Sequence, residues 1–329
     1  MIRVAINGFG RIGRVVLRQG LKRKDIEFVA VNDLTDNKTL AYLFKYDSIH
    51  GVYPEEVSFS DNSISIGGKK INSYSISDPE QLPWKKLKVD VVLECTGKLK
   101  KREDFDKHIK AGAKKVIISA PAEGVDETIV LGVNNNSLSD RQKTCYSAAS
   151  CTTNCLAPVA MVLEKEFGIV SGMMNTIHAY TNDQKLMDAP HKDLRRARAA
   201  AQSVIPTTTG ATKAVAIVLP SLKGKMDGIS LRVPVPNGSI TDFVCVLKKT
   251  VTKDEVNSAF KKAAETYLKG ILLYSEENLV SHDIIGSTYS SIVDSQLTQV
   301  VNKNMVRVMA WYDNEWGYSA RMLDLITKV

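Results

Sequence analysis

Residues 2–33 constrain the fold more than any other stretch. IRVAIN at 2–7 is a short, β-branched apolar run. Gly8-Phe9-Gly10-Arg11-Ile12-Gly13 follows, then a helix-prone stretch to about Lys22, a second apolar run IEFVAVN at 26–32, and Asp33. Strand, glycine turn, helix, strand and acid, in that order, describe one unit of a parallel sheet that holds a dinucleotide. Gly8 permits the tight turn, Gly10 lets a pyrophosphate approach the backbone, and Gly13 lets helix and strand pack closely. The helix N-terminus then presents unpaired N–H groups to the phosphates. Asp33 is placed to accept from the adenosine ribose hydroxyls and repels a 2′-phosphate, so NAD is the expected cofactor rather than NADP.

Further α/β units follow. Residues 37–46 read as helix, 89–95 as a buried strand closing at Thr96-Gly97, 102–110 as helix and 115–119 as strand. Continuous apolar strands alternating with helices imply a parallel sheet covered on both faces, a Rossmann-type α/β domain. Ligands bind beyond the carboxyl ends of such strands, which makes Thr96, Gly97 and Ser119 candidate contacts.

Near residue 150 the pattern changes. Strand-like stretches at 169–181, 229–235, 240–250, 289–293 and 305–312 surround one clear helix at 253–268. This predicts an α+β catalytic domain with a mostly antiparallel sheet. The basic stretch HKDLRRARAAA at 191–201 reads as helix by propensity, and 315–329 as a helix that packs back on the first domain. A chain of 329 residues is long for one core. The expected division is 1–149 with 315–329 for NAD, and 150–314 for catalysis.

Cysteine use and charge narrow the function. Five cysteines in a chain of this size argue against a disulfide framework, and the five histidines show no zinc-site spacing, so no metal is expected. The net charge of +8 raises nucleic acid as a partner. The basic residues are interleaved with acids, as in KRKDIE and KKREDFDK, so solvated helix faces and an anionic small substrate explain them better. No apolar run reaches the roughly 18 residues that span a bilayer, and MIRVAINGFG does not read as a signal peptide. A cytoplasmic protein without membrane partners is expected.

The chemistry centres on Ser150-Cys151-Thr152-Thr153-Asn154-Cys155-Leu156-Ala157-Pro158. Ser150 can cap a helix whose buried face is Leu156, Val159, Ala160 and Leu163. Cys151 then sits in the first turn, where free N–H groups and the helix dipole favour a thiolate and a lowered pKa. Pro158 predicts a kink or an irregular first turn. Cys155, one turn on, reads as a small buried hydrophobe. A catalytic thiolate needs a base, and His178, at the end of an apolar strand, is the candidate; spacing alone does not bring the two together.

Several stretches, read together, resemble one family. INGFGRIGR at 6–14, SCTTNCLAP at 150–158, HAYTNDQ at 178–184, IPTTTGATK at 205–213, LRVPVP at 231–236 and WYDNEWGYS at 311–319 look like the phosphorylating glyceraldehyde-3-phosphate dehydrogenases, from end to end and in order. The resemblance implies that Cys151 attacks an aldehyde, that His178 activates the thiol and takes the hydroxyl proton as hydride leaves, and that inorganic phosphate cleaves the resulting thioester. It implies that the Cys151 backbone N–H and the His178 ring hold the developing oxyanion. Thr181, Asp183 and Arg232 match the family's site for the phosphate of glyceraldehyde 3-phosphate. Ser150, Thr152, Arg196, Thr209 and Gly210 match its site for attacking phosphate. Arg11, Ile12, Asp33, Ser119 and Asn314 match cofactor contacts, with Asn314 at the nicotinamide amide. A homotetramer follows from resemblance alone. Ser77 and Leu99 depart from the arginine and the aromatic that the family commonly carries near the adenine.

Two other readings compete. The first is a sister enzyme acting on erythrose 4-phosphate; the Thr208-Thr209-Gly210 run, which matches the attacking-phosphate site, speaks against it. The second is a non-catalytic binding protein on the same fold. The complete set of nucleophile, base and phosphate ligands speaks against that.

Overall fold

The computed structural model of the chain describes residues 1–140 and 142–329. It divides into two compact units, one of residues 1–129, 136–149 and 319–329, the other of 130–135 and 150–318.

The first unit is built on a nine-stranded sheet. Its order is Glu127–Thr128, Cys145–Ser147, Lys115–Ile118, Val91–Glu94, Ile2–Asn7, Ile26–Asn32, Lys69–Tyr74, Ser63–Ile66 and Val57–Ser60. The first seven run parallel; the last two return as antiparallel hairpins. The central strands are buried on both faces, which is why they read as unbroken apolar runs. The hairpin strands at 57–74 were not expected, because their Ser, Asn and Lys content hides the alternation. Two glycines of the first turn are sterically required. Gly8 has φ +92° and an added Cβ would lie 2.5 Å from the Thr96 amide nitrogen; a Cβ on Gly13 would lie 2.4 Å from the Gly8 carbonyl oxygen.

The second unit carries an eight-stranded mixed sheet. The path is Ile205–Thr208, Met226–Val233, Ile169–Ala179, Ser239–Leu247, Met305–Tyr312, Ser291–Asp294 and Leu272–Ser275, with Gln299–Val301 paired beside Met305–Tyr312. Pairing is antiparallel except between Ile169–Ala179 and Met226–Val233 and between Leu272–Ser275 and Ser291–Asp294. Helix Cys151–Phe167 packs on one face of this sheet through Leu156, Val159, Ala160 and Leu163, all fully buried. The helix Ala211–Val218 was not anticipated, because a stretch this short and apolar all round has no periodicity to read.

Two local expectations are corrected. Pro158 leaves the helix unbroken from Cys151 to Phe167; the apolar face around it is buried throughout, and packing holds the turn that the missing N–H weakens. The 191–201 stretch is not helical. Its charged side chains are instead engaged with neighbours, as in Arg198 Nε to Asp188 at 2.9 Å, and this tertiary pairing overrides propensity.

Candidate active site

In the first unit, Gly8, Gly10, Asp33 and Thr96 line a crevice of about 310 Å³ at the carboxyl ends of the parallel strands. The residues fit a dinucleotide. A Cβ on Gly10 would meet nothing within 4 Å, so the protein leaves the backbone open there. Asp33 Oδ2 accepts from Phe9 N at 2.8 Å and Oδ1 from Thr35 N at 3.0 Å, which fixes the carboxylate at the crevice wall. Arg11 commits its guanidinium to Asp47, Nη1 to Oδ2 at 2.6 Å; against burial, the His50 backbone N–H, then Arg11 and the Ile49 N–H, hold the Asp47 carboxyl down at about 2. Ser119 sits next to Cys95 at the end of Lys115–Ile118. Ser77 and Leu99 both line the crevice.

The second unit holds Cys151, the expected nucleophile. Ser150, in extended conformation, caps the helix by accepting from Thr153 N at 3.1 Å, which sets Cys151 at the first helical position. Cys151 Sγ lies 3.5 Å from His178 Nε2. His178 ends the strand Ile169–Ala179, and the parallel register puts Arg232 directly opposite it. Arg232 Nη1 is 2.8 Å from His178 Nδ1 and 3.1 Å from the Ala179 carbonyl oxygen, and that oxygen is 2.7 Å from Nδ1. One geometry thus serves two imidazole tautomers. With the proton on Nδ1, donated to Ala179, Nε2 accepts from the thiol. With Nδ1 accepting from Arg232, Nε2 carries the proton and faces a thiolate.

The electrostatics correct the expected thiol acidity. Burial pushes the Cys151 thiol up, although the Arg232 charge and the first-turn N–H of Thr152 oppose it. Burial, then the Arg232 charge, push His178 down to about 3. The resting pair is a thiol beside a neutral imidazole, because desolvation outweighs the helix terminus.

The anion residues are partly brought together. Arg196 pairs with Asp183 and donates from Nε to Thr207 Oγ1 at 2.8 Å. Thr209 Oγ1 accepts from Ala211 N at 3.2 Å and Gly210 precedes the helix Ala211–Val218. Thr181 N donates to Gln184 at 3.2 Å. The Arg232 Nε is buried with no partner among the described residues. The Thr152 hydroxyl meets Tyr312 at 2.8 Å and also lies within hydrogen-bonding reach of the Cys151 thiol. Asn314 Oδ1 accepts from Ser239 Oγ at 2.8 Å.

Tyr312 was missed. Its hydroxyl bridges Thr152 and Thr176, at 2.8 Å each, and its ring meets the His178 ring edge-on at 5.9 Å. The alternation Val306, Val308, Ala310, Tyr312 along one strand face was the signal available. Cys155 is fully buried against Thr241, Ser291 and the Ala310 carbonyl, and its thiol is pushed up to about 12. It packs, as expected.

A dinucleotide crevice in one unit and a cysteine–histidine pair flanked by arginine in the other define an NAD-dependent dehydrogenase of the cysteine type. Comparison with known proteins gives the family. Residues 2–102 match the glyceraldehyde 3-phosphate dehydrogenase NAD binding domain and residues 150–314 its C-terminal domain. A glyceraldehyde-3-phosphate dehydrogenase of Geobacillus stearothermophilus is 60% identical over 98% of this chain and 97% of its own. Glyceraldehyde-3-phosphate dehydrogenase 2 of Streptomyces avermitilis is 58% identical over 98% and 97%, and glyceraldehyde-3-phosphate dehydrogenase 2 of Bacillus subtilis is 54% identical over 100% and 96%. The chain belongs to the glyceraldehyde 3-phosphate dehydrogenase family.

Proposed function

We propose that this chain oxidises D-glyceraldehyde 3-phosphate with NAD and inorganic phosphate to 1,3-bisphosphoglycerate, in glycolysis or gluconeogenesis. The observation that carries this is the Cys151–His178 contact of 3.5 Å with Arg232 on the far side of the same ring. Cys151 Sγ bonds to the aldehyde carbon while its proton passes to His178 Nε2 and then to the new oxygen, giving a thiohemiacetal. His178 next takes that hydroxyl proton as the C–H bond gives up its hydride, and the Cys151 backbone N–H and the imidazole stabilise the oxygen. Bound NAD supplies the hydride acceptor. Phosphate oxygen then bonds to the thioester carbon, and Cys151 leaves with the electron pair of the C–S bond.

In this reading Arg232 and Thr181 hold the substrate phosphate, with Asp183 serving that region through the Arg196 guanidinium it pairs with, and Arg196, Ser150, Thr152, Thr209 and Gly210 hold the attacking one; a guanidinium beside hydroxyls and N–H groups suits both anions. Gly8, Gly10, Arg11, Ile12, Gly13, Asp33, Ser119 and Asn314 contact NAD. Residues 1–149 and 315–329 serve the cofactor and 150–314 the chemistry. A homotetramer is supported by exposed apolar side chains on one sheet face, Met173 and Ile229, and on the loop after His178, Leu186, Met187 and Leu194. A cytoplasmic location accords with the reaction; among the described residues no helix is long and apolar enough to cross a membrane. The test is a stoichiometric burst of NADH without phosphate, then sustained turnover once phosphate is added, with erythrose 4-phosphate as the comparison aldehyde. No burst with the triose, or faster turnover on the tetrose, defeats the reading.

A further inference from the structure

Beneath the crevice of the first unit lies a chain of polar side chains that the reaction above does not use. Trp84 and His108 are fully buried and Glu94 is 1% exposed. Trp84 Nε1 donates to His108 Nδ1 at 3.0 Å. An indole N–H can only donate, so Nδ1 is the acceptor and the ring proton sits on Nε2. That Nε2–H points at Glu94 Oε2, 3.2 Å away. The same oxygen accepts from Asn7 Nδ2 at 2.6 Å. Glu94 Oε1 accepts from the Thr96 backbone N–H at 2.9 Å and from the Thr96 hydroxyl.

The chain continues sideways. Asn32 Nδ2 donates to Asn7 Oδ1 at 2.7 Å, and Asn32 Oδ1 accepts from Ile76 N at 2.9 Å. Asn7, Asn32 and Glu94 end three adjacent parallel strands; Thr96 lies in the turn after Glu94 and Ile76 in the turn after the neighbouring strand Lys69–Tyr74, and all but Glu94 line the crevice. The Thr96 turn is also the one that Gly8 must clear, since a Cβ there would collide with the Thr96 nitrogen. Two independent devices, one steric and one hydrogen-bonded, therefore fix the same wall.

We infer that His108 and Glu94 are positioning residues for NAD: the imidazole, held in one tautomer by Trp84, completes the donor set that orients the Glu94 carboxylate, and the carboxylate holds Thr96 and Asn7 in place at the crevice. This rests on the reading of the crevice as the NAD site. Without the imidazole, Asn7 alone would hold Oε2; the buried carboxylate would swing or draw in water, and the wall would move with it. The charged groups on the elements around His108 pair away from it, Asp78 with Lys107 at 3.2 Å and Glu80 with Lys110 at 3.9 Å, so Glu94 is the charge His108 faces.

The test is direct NAD binding by titration calorimetry on the full chain, with steady-state kinetics alongside. His108→Leu keeps the volume and removes the donor; its Kd and KM for NAD rise about tenfold, while kcat at saturating NAD and the alkylation rate of Cys151 stay at the wild-type values. His108→Gln, whose amide N–H₂ reaches the Nε2 position, recovers most of the affinity. An unchanged Kd in His108→Leu overturns the proposal, and so does a His108→Gln variant as weak as the leucine one, since shape alone would then be the cause. If His108→Leu does not fold, Glu94→Gln carries the test, because it turns one acceptor into a donor against Asn7 and His108; the same rise supports the proposal and no change overturns it. A wild-type chain that binds no NAD refutes the crevice reading instead.

Discussion

Arg232 offers the most searching test of the Cys151–His178 pair. Arg232→Gln removes a full positive charge 2.8 Å from His178 Nδ1 while leaving a shorter, neutral polar side chain. A unit charge at 4 Å is worth about 4 kcal/mol at an effective dielectric constant of 20. Spreading the charge over the guanidinium and partial contact with solvent leave about 3 kcal/mol, or roughly two pKa units. His178, held at about 3 by burial first and by this charge second, should titrate at a higher pH in the variant. Cys151 loses the charge that most favours its thiolate, so its pKa moves further up. The assay is the pH profile of Cys151 alkylation by iodoacetamide without substrate or NAD, read by peptide mass spectrometry so that the other cysteines do not contribute. The alkylation limb should shift alkaline by roughly one to two pH units, and the rate at pH 7.5 should fall about tenfold or more. In parallel, the His178 ring, followed by NMR, should titrate at higher pH than in the parent. A limb that stays in place, or moves toward acid, would show that the guanidinium does not govern the pair.

Other perturbations separate packing from chemistry. Cys151→Ser should abolish the NADH burst while leaving NAD binding intact by calorimetry. Gly10→Ala adds a methyl into open space at φ −74°, so its melting temperature should stay put while NAD affinity falls tenfold or more, about 1.4 kcal/mol; Gly8→Ala, against the Thr96 backbone, should cost stability outright, by thermal melting. Tyr312→Phe removes the buried bridge between the Thr152 and Thr176 hydroxyls and should cost about 2 kcal/mol in denaturant unfolding. His178 takes a proton near 6.5 when unfolded but not until about 3 when folded, so the unfolded chain binds more protons between those values. Its contribution to stability is present above pH 6.5 and is lost as pH falls toward 3; His178→Gln should flatten that acid limb of the unfolding profile.

Much of this was legible from the chain alone, for a physical reason. Gly8, Gly13 and Asp33 act within one βαβ unit, so order along the sequence is order in space, and the turn is as read. Ser150 as a cap is a four-residue matter and was equally visible. The Arg232–His178 contact depends on which strands are neighbours and in what register, and residues 178 and 232 share no local pattern. The raised Cys151 thiol was hidden for a related reason: a helix N-terminus can be read from the sequence, but the amount of water left around it cannot. The 191–201 stretch failed the other way, because propensity is summed over residues whose partners, Asp183 and Asp188, lie outside it.

The Arg196–Asp183 pair changes how that site meets an anion. Asp183 is a competitor tethered to the protein, present at a high effective concentration that dilution does not lower. Any phosphate that Arg196 takes must win an exchange, and its apparent affinity is reduced by the strength of the pair it breaks. The same exchange works on departure. As an anion loosens, the carboxylate closes on the guanidinium behind it, so the charge is not left bare and the exit barrier falls. In the proposed reaction such a site would bind loosely and empty quickly, which suits a step repeated every turnover better than tight storage does.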